Sequence, residues 1–300
     1  MTTTVQPDTQ IGMVGLGLMG IALAERLIAA GFAVAGHDID ATKNAALVQL
    51  GGRAVMLDEL ARQCANVVIA VYDGAQVEDV VALLERRPPE HGRTVICTTT
   101  CEPDCVDRLA RHAATAGMDF IEAPLSGTSA EVRAGTATAL VAGANETVAR
   151  LAPVLMALSP HRVSVGRLGD ASRMKLAINL VLQSNRAALA EGLVFAETIG
   201  LNPSAFLEAA RASAAYSRVM DTKGDKMLRR DFYPQSHIAQ TLKDAELILG
   251  HASAHALTLP MTTTQADLLR KAIALRGGDC DSSAVIEAIR PSPATERTPS

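Results

Sequence analysis

Aromatic residues and excess charge are both scarce in this sequence. Its 300 residues include five phenylalanines, three tyrosines and no tryptophan, and the formal net charge is −4. Proteins that bind nucleic acids use aromatic side chains to stack bases and basic surfaces to bind phosphates. We therefore predict no nucleic-acid partner. The hydrophobic content of 48% is sufficient for one large or two medium-sized cores.

Long uninterrupted apolar runs are also lacking. No stretch reaches membrane-spanning length without a charged or polar break, and residues 1–10 have neither the basic start nor the apolar centre of a signal peptide. We predict a cytoplasmic protein that has no membrane partner.

Cysteines are few and odd in number. The five cysteines make no even disulfide framework, which indicates reduced thiols. Cys97, Cys101 and Cys105 recur every four residues, but no histidine or further cysteine completes a metal-ligand set at the usual spacing. We predict no metal and expect these three side chains to be buried or half-buried.

Glycines, by contrast, form a dinucleotide-binding motif near the start of the chain, Gly15-Leu16-Gly17-Leu18-Met19-Gly20. Gly15 allows a sharp turn out of the first strand. Gly17 removes a Cβ where the backbone approaches a pyrophosphate, and Gly20 allows the next helix to pack closely. The N-terminus of that helix then faces the phosphates. An apolar segment before the motif and an amphipathic segment after it favour this interpretation over a glycine-rich turn without a ligand.

Asp38 lies eighteen residues after Gly20, behind the second apolar segment. A carboxylate there accepts hydrogen bonds from the ribose hydroxyls of NAD and repels the 2′-phosphate of NADP. Ile39 follows, where an NADP site often has arginine, although Lys43 is close in sequence. We predict NAD as the preferred cofactor and NADP as the alternative.

Short apolar segments alternate with helical ones from residue 11 to about 165. The predicted strands are 11–14, 33–36, 67–71, 94–98, 119–122, 138–142 and 162–165, and the predicted helices are 18–30, 41–50, 74–86, 103–116 and 145–157. This alternation predicts an α/β fold, a Rossmann-type doubly wound and mainly parallel sheet, in an NAD(P)-binding domain over residues 1–165.

The pattern becomes wholly helical after Gly166. A continuous helix is predicted from Asp170 to Gly200, and further helices over 203–212, 216–229, 236–254, 261–275 and 283–289. We therefore predict an all-α substrate and dimerisation domain over residues 166–290, joined to the first domain by the long helix. The polar, proline-rich residues 291–300 are predicted to be a disordered tail.

Lys175 and Asn179 are four residues apart on the predicted long helix, and therefore on one face of it. Their neighbours in sequence are largely apolar, which leaves two interpretations. Either the lysine stem carries its ammonium to water, or the ammonium points into a polar cleft. In a cleft beside a nicotinamide, desolvation would lower the lysine pKa toward about 7–8, the range useful for proton transfer.

A strand that runs into Ser126 and Gly127 places a hydroxyl and backbone N–H groups at the carboxyl end of the sheet. Open α/β sheets bind their ligands at this edge, and such donors suit a carboxylate. The alternative is a tight turn without a ligand.

These motifs together resemble those of the β-hydroxyacid dehydrogenase family, which includes 3-hydroxyisobutyrate dehydrogenase and tartronate semialdehyde reductase. Four motifs occur in the family's order and cover residues 11 to about 290: Gly15–Gly20, Glu122–Gly127, Gly166–Gly169 leading to Lys175 and Asn179, and Lys243-Asp244. The resemblance implies hydride transfer between a short β-hydroxy acid, or its semialdehyde or keto form, and a nicotinamide cofactor. It also implies a helical second domain of the 6-phosphogluconate dehydrogenase type.

The resemblance also implies a role for individual residues. Lys175 would be the general acid/base and Asn179 would orient the substrate. Ser126 and the N–H groups of Gly127 and Thr128 would bind the carboxylate. Thr100 matches a threonine near nicotinamide and substrate, and Lys243 matches a lysine that closes over the cofactor.

Three departures from the family pattern suggest an unusual substrate. Thr128 replaces a glycine and so adds a Cβ and a hydroxyl to the anion pocket. Ile178 replaces an asparagine. Ser236, followed by His237, replaces a bulky phenylalanine wall. We predict a larger or more polar hydroxy acid, or one with a further anionic group such as a sulfonate.

Two other functions share this architecture. Imine reductases usually replace the catalytic lysine, so Lys175 argues against that class. A non-catalytic dinucleotide-binding module would lack the lysine and carry added basic segments. The alanine-rich faces of the long helix favour close packing against another helix, and the family points the same way, so we expect a homodimer or homotetramer.

Overall fold

The computed structural model describes residues 9–87 and 92–290, and the chain divides into two compact units between Leu176 and Ala177. We call them the sheet unit and the helical unit. The division falls inside the long helix, whereas the sequence suggested a domain boundary after residue 165, where the last predicted strand ends. The tail predicted over residues 291–300 lies outside the described residues.

The sheet unit contains one sheet, with nine strands in the described residues. The strands are β1 (Gln10–Val14), β2 (Ala33–His37), β3 (Arg53–Ala54), β4 (Asn66–Ile69), β5 (Arg93–Cys97), β6 (Met118–Glu122), β7 (Leu125–Ser126), β8 (Thr138–Gly143) and β9 (His161–Gly166). All seven predicted strands are present. The additional strands β3 and β7 have two residues each, too few to show an alternating pattern.

The strand order is β3-β2-β1-β4-β5-β6-β8-β7, with β9 paired to β8. The strands from β3 to β6 are parallel, β8 is antiparallel to β6 and β7, and β9 is parallel to β8. The predicted mainly parallel, doubly wound sheet is confirmed. The carboxyl ends of the parallel strands share one edge, and the order reverses between β1 and β4, which is where such sheets bind ligands.

Eight helices accompany this sheet in the described residues: α1 (Leu18–Ala29), α2 (Ala41–Gln49), α3 (Leu57–Gln63), α4 (Gly74–Glu85), α5 (Pro103–Thr115), α6 (Ser129–Arg133), α7 (Asn145–Arg150) and α8 (Ala152–Leu158). The prediction missed α3 and α6, which are short. The single helix predicted over 145–157 is interrupted at Leu151, because Pro153 has no N–H to continue the helical hydrogen bonds.

Apolar side chains fill both faces of the sheet. Neighbouring residues of one strand belong to different cores, as Val95 and Ile96 of β5 do. Cys97, Cys101 and Cys105 lie in the same core as Val95, each at most 5% exposed. The prediction that these thiols are buried is confirmed.

The long helix α9 (Asp170–Thr198) has 29 residues, close to the predicted span. It is followed by α10 (Pro203–Arg211), a π-helix (Met220–Gly224), α11 (Asp225–Arg229), α12 (Ile238–Ala254), α13 (Pro260–Arg276) and a 3₁₀ helix (Ser282–Ala288). The helix predicted over 216–229 is therefore a π turn continued by a short α-helix. No helix of the described chain combines the length and apolar composition needed to cross a membrane.

Candidate active site

Two glycines of the dinucleotide motif are required by the protein's own backbone. Gly15 has φ +86°, and a Cβ on it would lie 2.4 Å from the carbonyl oxygen of Ala70, which follows β4. A Cβ on Gly20 would lie 2.0 Å from the carbonyl oxygen of Gly15. The first position therefore needs glycine for conformation and close approach, and the second needs it so that α1 can pack against the loop.

Gly17 has no such requirement. It has φ −66°, which any residue can adopt, and a Cβ placed on it would meet no described atom within 4 Å. It is also the N-cap of α1, where no side chain of the described residues caps the first-turn N–H groups. Open space beside uncapped N–H groups at a helix N-terminus suits a pyrophosphate. The motif therefore fits a dinucleotide cofactor.

Asp38 follows β2 at the same edge of the sheet and is tied to the motif. Its Oδ2 accepts the N–H of Leu16 at 2.7 Å, and its Oδ1 accepts the N–H of Asp40 at 2.9 Å. Lys43 Nζ lies 3.7 Å from Oδ1. These contacts hold the carboxylate beside the glycine loop. The residue directly after Asp38 is Ile39, whose side chain is 95% exposed and carries no positive charge.

Thr100 lies on the loop between β5 and α5, at the carboxyl edge of the sheet. The two threonines before it are used by the fold. The hydroxyl of Thr98 donates to the carbonyl of Ile69, and the hydroxyl of Thr99 bonds the backbone of Val71. Both bonds join the β4 and β5 loops, which fixes the start of the segment that carries Thr100.

The structure of the Ser126–Thr128 segment differs in part from the predicted anion pocket. Gly127 has φ +151°, and a Cβ on it would lie 2.8 Å from Ala137 Cβ. Thr128 is the N-cap of α6: its hydroxyl accepts the N–H of Glu131 at 3.2 Å, and its own N–H donates to the Glu131 carboxylate at 2.8 Å. This capping box uses the Thr128 N–H and one acceptor site of its hydroxyl, but not the hydroxyl proton. Thr128 therefore does not supply its N–H to the pocket as the resemblance implied, whereas the extra hydroxyl donor stays a prediction.

Glu122 links the second and third motifs. The side chain is 1% exposed and accepts hydrogen bonds from the N–H of Gly169 and from both the N–H and the hydroxyl of Ser172. These donors belong to the start of α9. Burial raises the pKa of Glu122, and the hydrogen bonds from Ser172 and Gly169 only partly oppose that shift. The carboxyl end of β6 thus caps the helix that carries Lys175.

Lys175 is 6% exposed and Asn179 is 4% exposed, one turn apart on α9. The interpretation of Lys175 as a surface lysine is therefore wrong. The Asn179 amide donates to Asp244 Oδ2 at 2.9 Å, and Lys243 Nζ lies 3.3 Å from Asp244 Oδ1. Asp244 of α12 therefore holds the Asn179 amide and pairs with Lys243. Its role was missed, although it stood in a recognised motif.

Comparison with known proteins identifies the family of this chain. Residues 10–166 match the family described as the NAD binding domain of 6-phosphogluconate dehydrogenase. Residues 169–289 match the family described as NAD-binding of NADP-dependent 3-hydroxyisobutyrate dehydrogenase. The chain belongs to the β-hydroxyacid dehydrogenase family.

Its relatives cover nearly the whole chain. The 2-hydroxy-3-oxopropionate reductase of Escherichia coli K12 is 31% identical over 93% of this chain and 97% of its own. The 2-(hydroxymethyl)glutarate dehydrogenase of Eubacterium barkeri is 27% identical over 94% and 95%. The crystal structure of 3-hydroxyisobutyrate dehydrogenase from Salmonella typhimurium matches with a TM-score of 0.84 at 26% identity, over 93% and 99%. This dehydrogenase is thus an NAD(P)-dependent oxidoreductase that acts on hydroxy acids, which favours the main prediction over the imine reductase and the binding module.

The departure at Ser236 has a structural explanation in this dehydrogenase. Its hydroxyl lies 2.8 Å from the Ser282 hydroxyl and accepts from Lys223 Nζ at 3.3 Å. Lys223, only 2% exposed, also pairs with both carboxylate oxygens of Asp281. Burial lowers the pKa of Lys223 to about 8 although Asp281 opposes that shift. Ser236 is therefore bonded to a buried ionic network, and its proposed part in the substrate pocket stays a prediction.

His237 is the N-cap residue of α12, and its ring bonds the carbonyl of Asp279 at 2.8 Å. This contact gives it a packing role. Sequence reasoning also missed two buried polar residues of α9, Gln183 and Arg186. Helical periodicity could have found them, because they continue the face of Lys175 and Asn179 at a spacing of four, four and three residues.

Proposed function

We propose that this dehydrogenase oxidises a short β-hydroxy acid with Lys175 as the general acid/base. The observation that carries the proposal is a buried lysine one helical turn from a buried, oriented asparagine. A neutral Lys175 amine would take the hydroxyl proton of the substrate during oxidation, and the ammonium would return it during reduction. A bound nicotinamide would supply the hydride-transfer chemistry.

Asn179 is proposed to orient the reacting hydroxyl. Its amide nitrogen uses one N–H on Asp244, so the second N–H would donate to the oxygen of the reacting hydroxyl, whose single proton goes to Lys175. A fixed amide limits the rotation of the substrate relative to the proton acceptor, which contributes to the rate through orientation.

The substrate carboxylate is proposed to bind the Ser126 hydroxyl and the N–H of Gly127, with Thr100 beside it. Ser126 belongs to β7, whose register with β8 holds it in place. Thr128 would shape this segment through its capping box with Glu131, which engages its N–H and leaves only its hydroxyl as a donor to the carboxylate.

NAD is proposed as the preferred cofactor. Asp38 is held beside the glycine motif by the Leu16 and Asp40 N–H groups, and its charge would repel a 2′-phosphate. The exposed Ile39 offers no positive charge to compensate. Lys43, close to Asp38, would be neutralised by it in part, and Lys243 is proposed to bind the cofactor from α12.

A homodimer or homotetramer is proposed as the assembly. The long helix exposes large apolar side chains, among them Val181 at 57% and Phe195 at 65%. Covering such side chains is a common driving force for association. A monomeric mass in light scattering at micromolar concentration would contradict this proposal. The cytoplasmic location stays a prediction.

The main proposal is tested by initial rates of NAD⁺ reduction with a panel of short β-hydroxy acids, comparing wild type with Lys175→Met. Loss of a general acid/base lowers kcat by about 10²–10⁴-fold, whereas NADH binding, followed by fluorescence titration, should be retained. Lys271→Met is the matched control, because Lys271 is an exposed lysine of α13. Unchanged kcat in Lys175→Met would overturn the assignment.

A further inference from the structure

Arg186 is a buried cation of the helical unit without a partner of its own. It is 7% exposed, and within the described residues neither its Nε nor its Nη1 has a hydrogen-bond partner. No carboxylate of the described chain lies within ion-pair distance of it. Buried guanidinium groups are normally paired and fully hydrogen-bonded. The position therefore requires an explanation.

The two aspartates whose charges act on Arg186 are already bound to other groups. Asp281 pairs with Lys223 and accepts the N–H groups of Gln235 and Ser283. Asp244 holds the Asn179 amide and lies beside Lys243. Burial lowers the pKa of Arg186 to about 10, while Asp281 and Asp244 raise it. The guanidinium is therefore kept in the interior by distant charges and not by a direct ion pair.

An apolar residue would fill this place at lower cost, because a buried ion without a partner is destabilising. The flanking positions on α9 show that such residues are available: Leu189, one turn later, is 4% exposed and packs in the core of the helical unit. A cation retained in the same interior points to a ligand that completes its hydrogen bonds.

The helix face on which Arg186 lies indicates where that ligand would bind. Arg186 follows Asn179 by seven residues, two helical turns or about 10 Å along the axis, on the same face. Long side chains on a helix lean toward its N-terminus, the direction in which Asn179 lies from Arg186. Asp244 accepts a hydrogen bond from Asn179 and, after Asp281, also acts on the charge of Arg186. Arg186 and the amide proposed to orient the substrate therefore share one helix face and the neighbouring carboxylate of Asp244.

We propose that Arg186 binds a second anionic group of the substrate, so that this dehydrogenase prefers dianionic β-hydroxy acids to monoanionic ones. This inference rests on the proposed role of Asn179 in substrate binding. Carboxylate and sulfonate share the chemistry that a guanidinium recognises, charged oxygens that accept N–H bonds.

The test compares 3-hydroxyisobutyrate with 2-(hydroxymethyl)glutarate, in which a carboxyethyl group replaces the methyl group on C2, and uses a sulfonate analogue of the second to distinguish the two anions. The quantity measured is the ratio of kcat/KM for dianion to monoanion. The wild type should favour a dianion, and Arg186→Met should lower the ratio about tenfold or more through KM, as expected for a lost charge-assisted hydrogen bond. Arg186→Lys should keep part of the preference.

Arg229→Met is the control, because Arg229 is an exposed arginine of α11, and it should leave the ratio unchanged. Calorimetric titration of the dianion into NADH-loaded protein gives a second measurement, in which Arg186→Met should weaken binding by a similar factor. An equal loss for both substrates, or a wild type without preference for either dianion, would overturn the inference. Failure of the Lys175 assignment would be distinguishable, since it would leave the dianion-to-monoanion ratio intact.

Discussion

The side-chain amide of Asn179 donates to Oδ2 of Asp244 at 2.9 Å, across 65 positions of the chain. This bond joins α9 to α12 within the helical unit. It fixes the orientation of the amide, because one N–H of the amide nitrogen is engaged while its second N–H and the amide oxygen are not used by this contact. Asn179 and Asp244, which belong to different motifs, therefore form one hydrogen-bonded pair.

We expect Asp244→Asn to lower kcat/KM about 10–100-fold, because a buried hydrogen bond to a charged group contributes roughly 1.5–3 kcal/mol. The substitution keeps the volume but removes the charge that holds Asn179 and pairs with Lys243. Steady-state kinetics with thermal unfolding as a check on folding measure the effect. Glu246→Gln on the same helix, whose carboxylate makes an exposed pair with Arg270, is the control. Equal kinetics for the two variants would refute the positioning role.

Gly17→Ala and Gly20→Ala should separate cofactor binding from folding. At Gly20 a Cβ would lie 2.0 Å from a backbone carbonyl, so the free energy of unfolding should fall by about 1–3 kcal/mol or more. At Gly17 nothing in the described protein opposes a Cβ, so unfolding should change by less than about 0.5 kcal/mol. The NADH dissociation constant of Gly17→Ala should nevertheless rise about tenfold. Unaltered NADH affinity in a folded Gly17→Ala protein would contradict the assignment of this glycine to the pyrophosphate.

Glu122 should make stability depend on pH in a defined direction. Its pKa is raised in the folded state, so the folded protein holds this proton more tightly than the unfolded chain. The stabilisation by the protonated form is then lost as the pH rises from about 4.5 through the folded pKa. Asp281 has a lowered pKa, and its contribution is instead lost as the pH falls below its ordinary value, outside this window.

Denaturant unfolding of wild type and Glu122→Gln between pH 4.5 and 7 measures the pH-dependent contribution of Glu122 to the free energy of unfolding. The variant should lack this decrease in the free energy of unfolding, because an amide does not titrate in this range and resembles the neutral carboxyl that the wild type has at low pH. Glu146→Gln, an exposed carboxylate of α7, serves as the control. Parallel pH curves for wild type and Glu122→Gln would show that the carboxyl does not titrate in this range.

Asp38→Asn combined with Ile39→Arg should move the cofactor preference toward NADP. The pair removes the charge that repels a 2′-phosphate and adds one that attracts it, which we expect to change the NADP⁺-to-NAD⁺ ratio of kcat/KM by roughly 10–100-fold. Ile39→Gln is the control for the loss of the apolar side chain. Thermal unfolding is measured in parallel, because Asp38 also accepts two backbone N–H groups. A wild type that already prefers NADP⁺ would contradict the NAD proposal.

Much of the fold follows from short-range pattern. The seven longer strands and the long helix were predictable, because a pattern of apolar residues over four or more positions indicates the type of element. β3 and β7 were not, since two residues carry no period. The break at Leu151 could have been predicted from Pro153, whose missing N–H is a local property.

By itself, the sequence determined the chemistry available at each position: the glycine motif, the carboxylate at Asp38 and the lysine and amide one turn apart on a helix. Local spacing is sufficient for these, because the residues act within one turn or one loop. Only the tertiary structure decided how the remaining polar groups are used. Thr128 caps α6, and Ser236 joins the Lys223 network. Within the described residues, Nε and Nη1 of the buried Arg186 are left without a hydrogen-bond partner. Hydrogen-bond partners far apart in sequence are brought together by packing, and packing alone determines which donors the fold uses and which remain for a ligand.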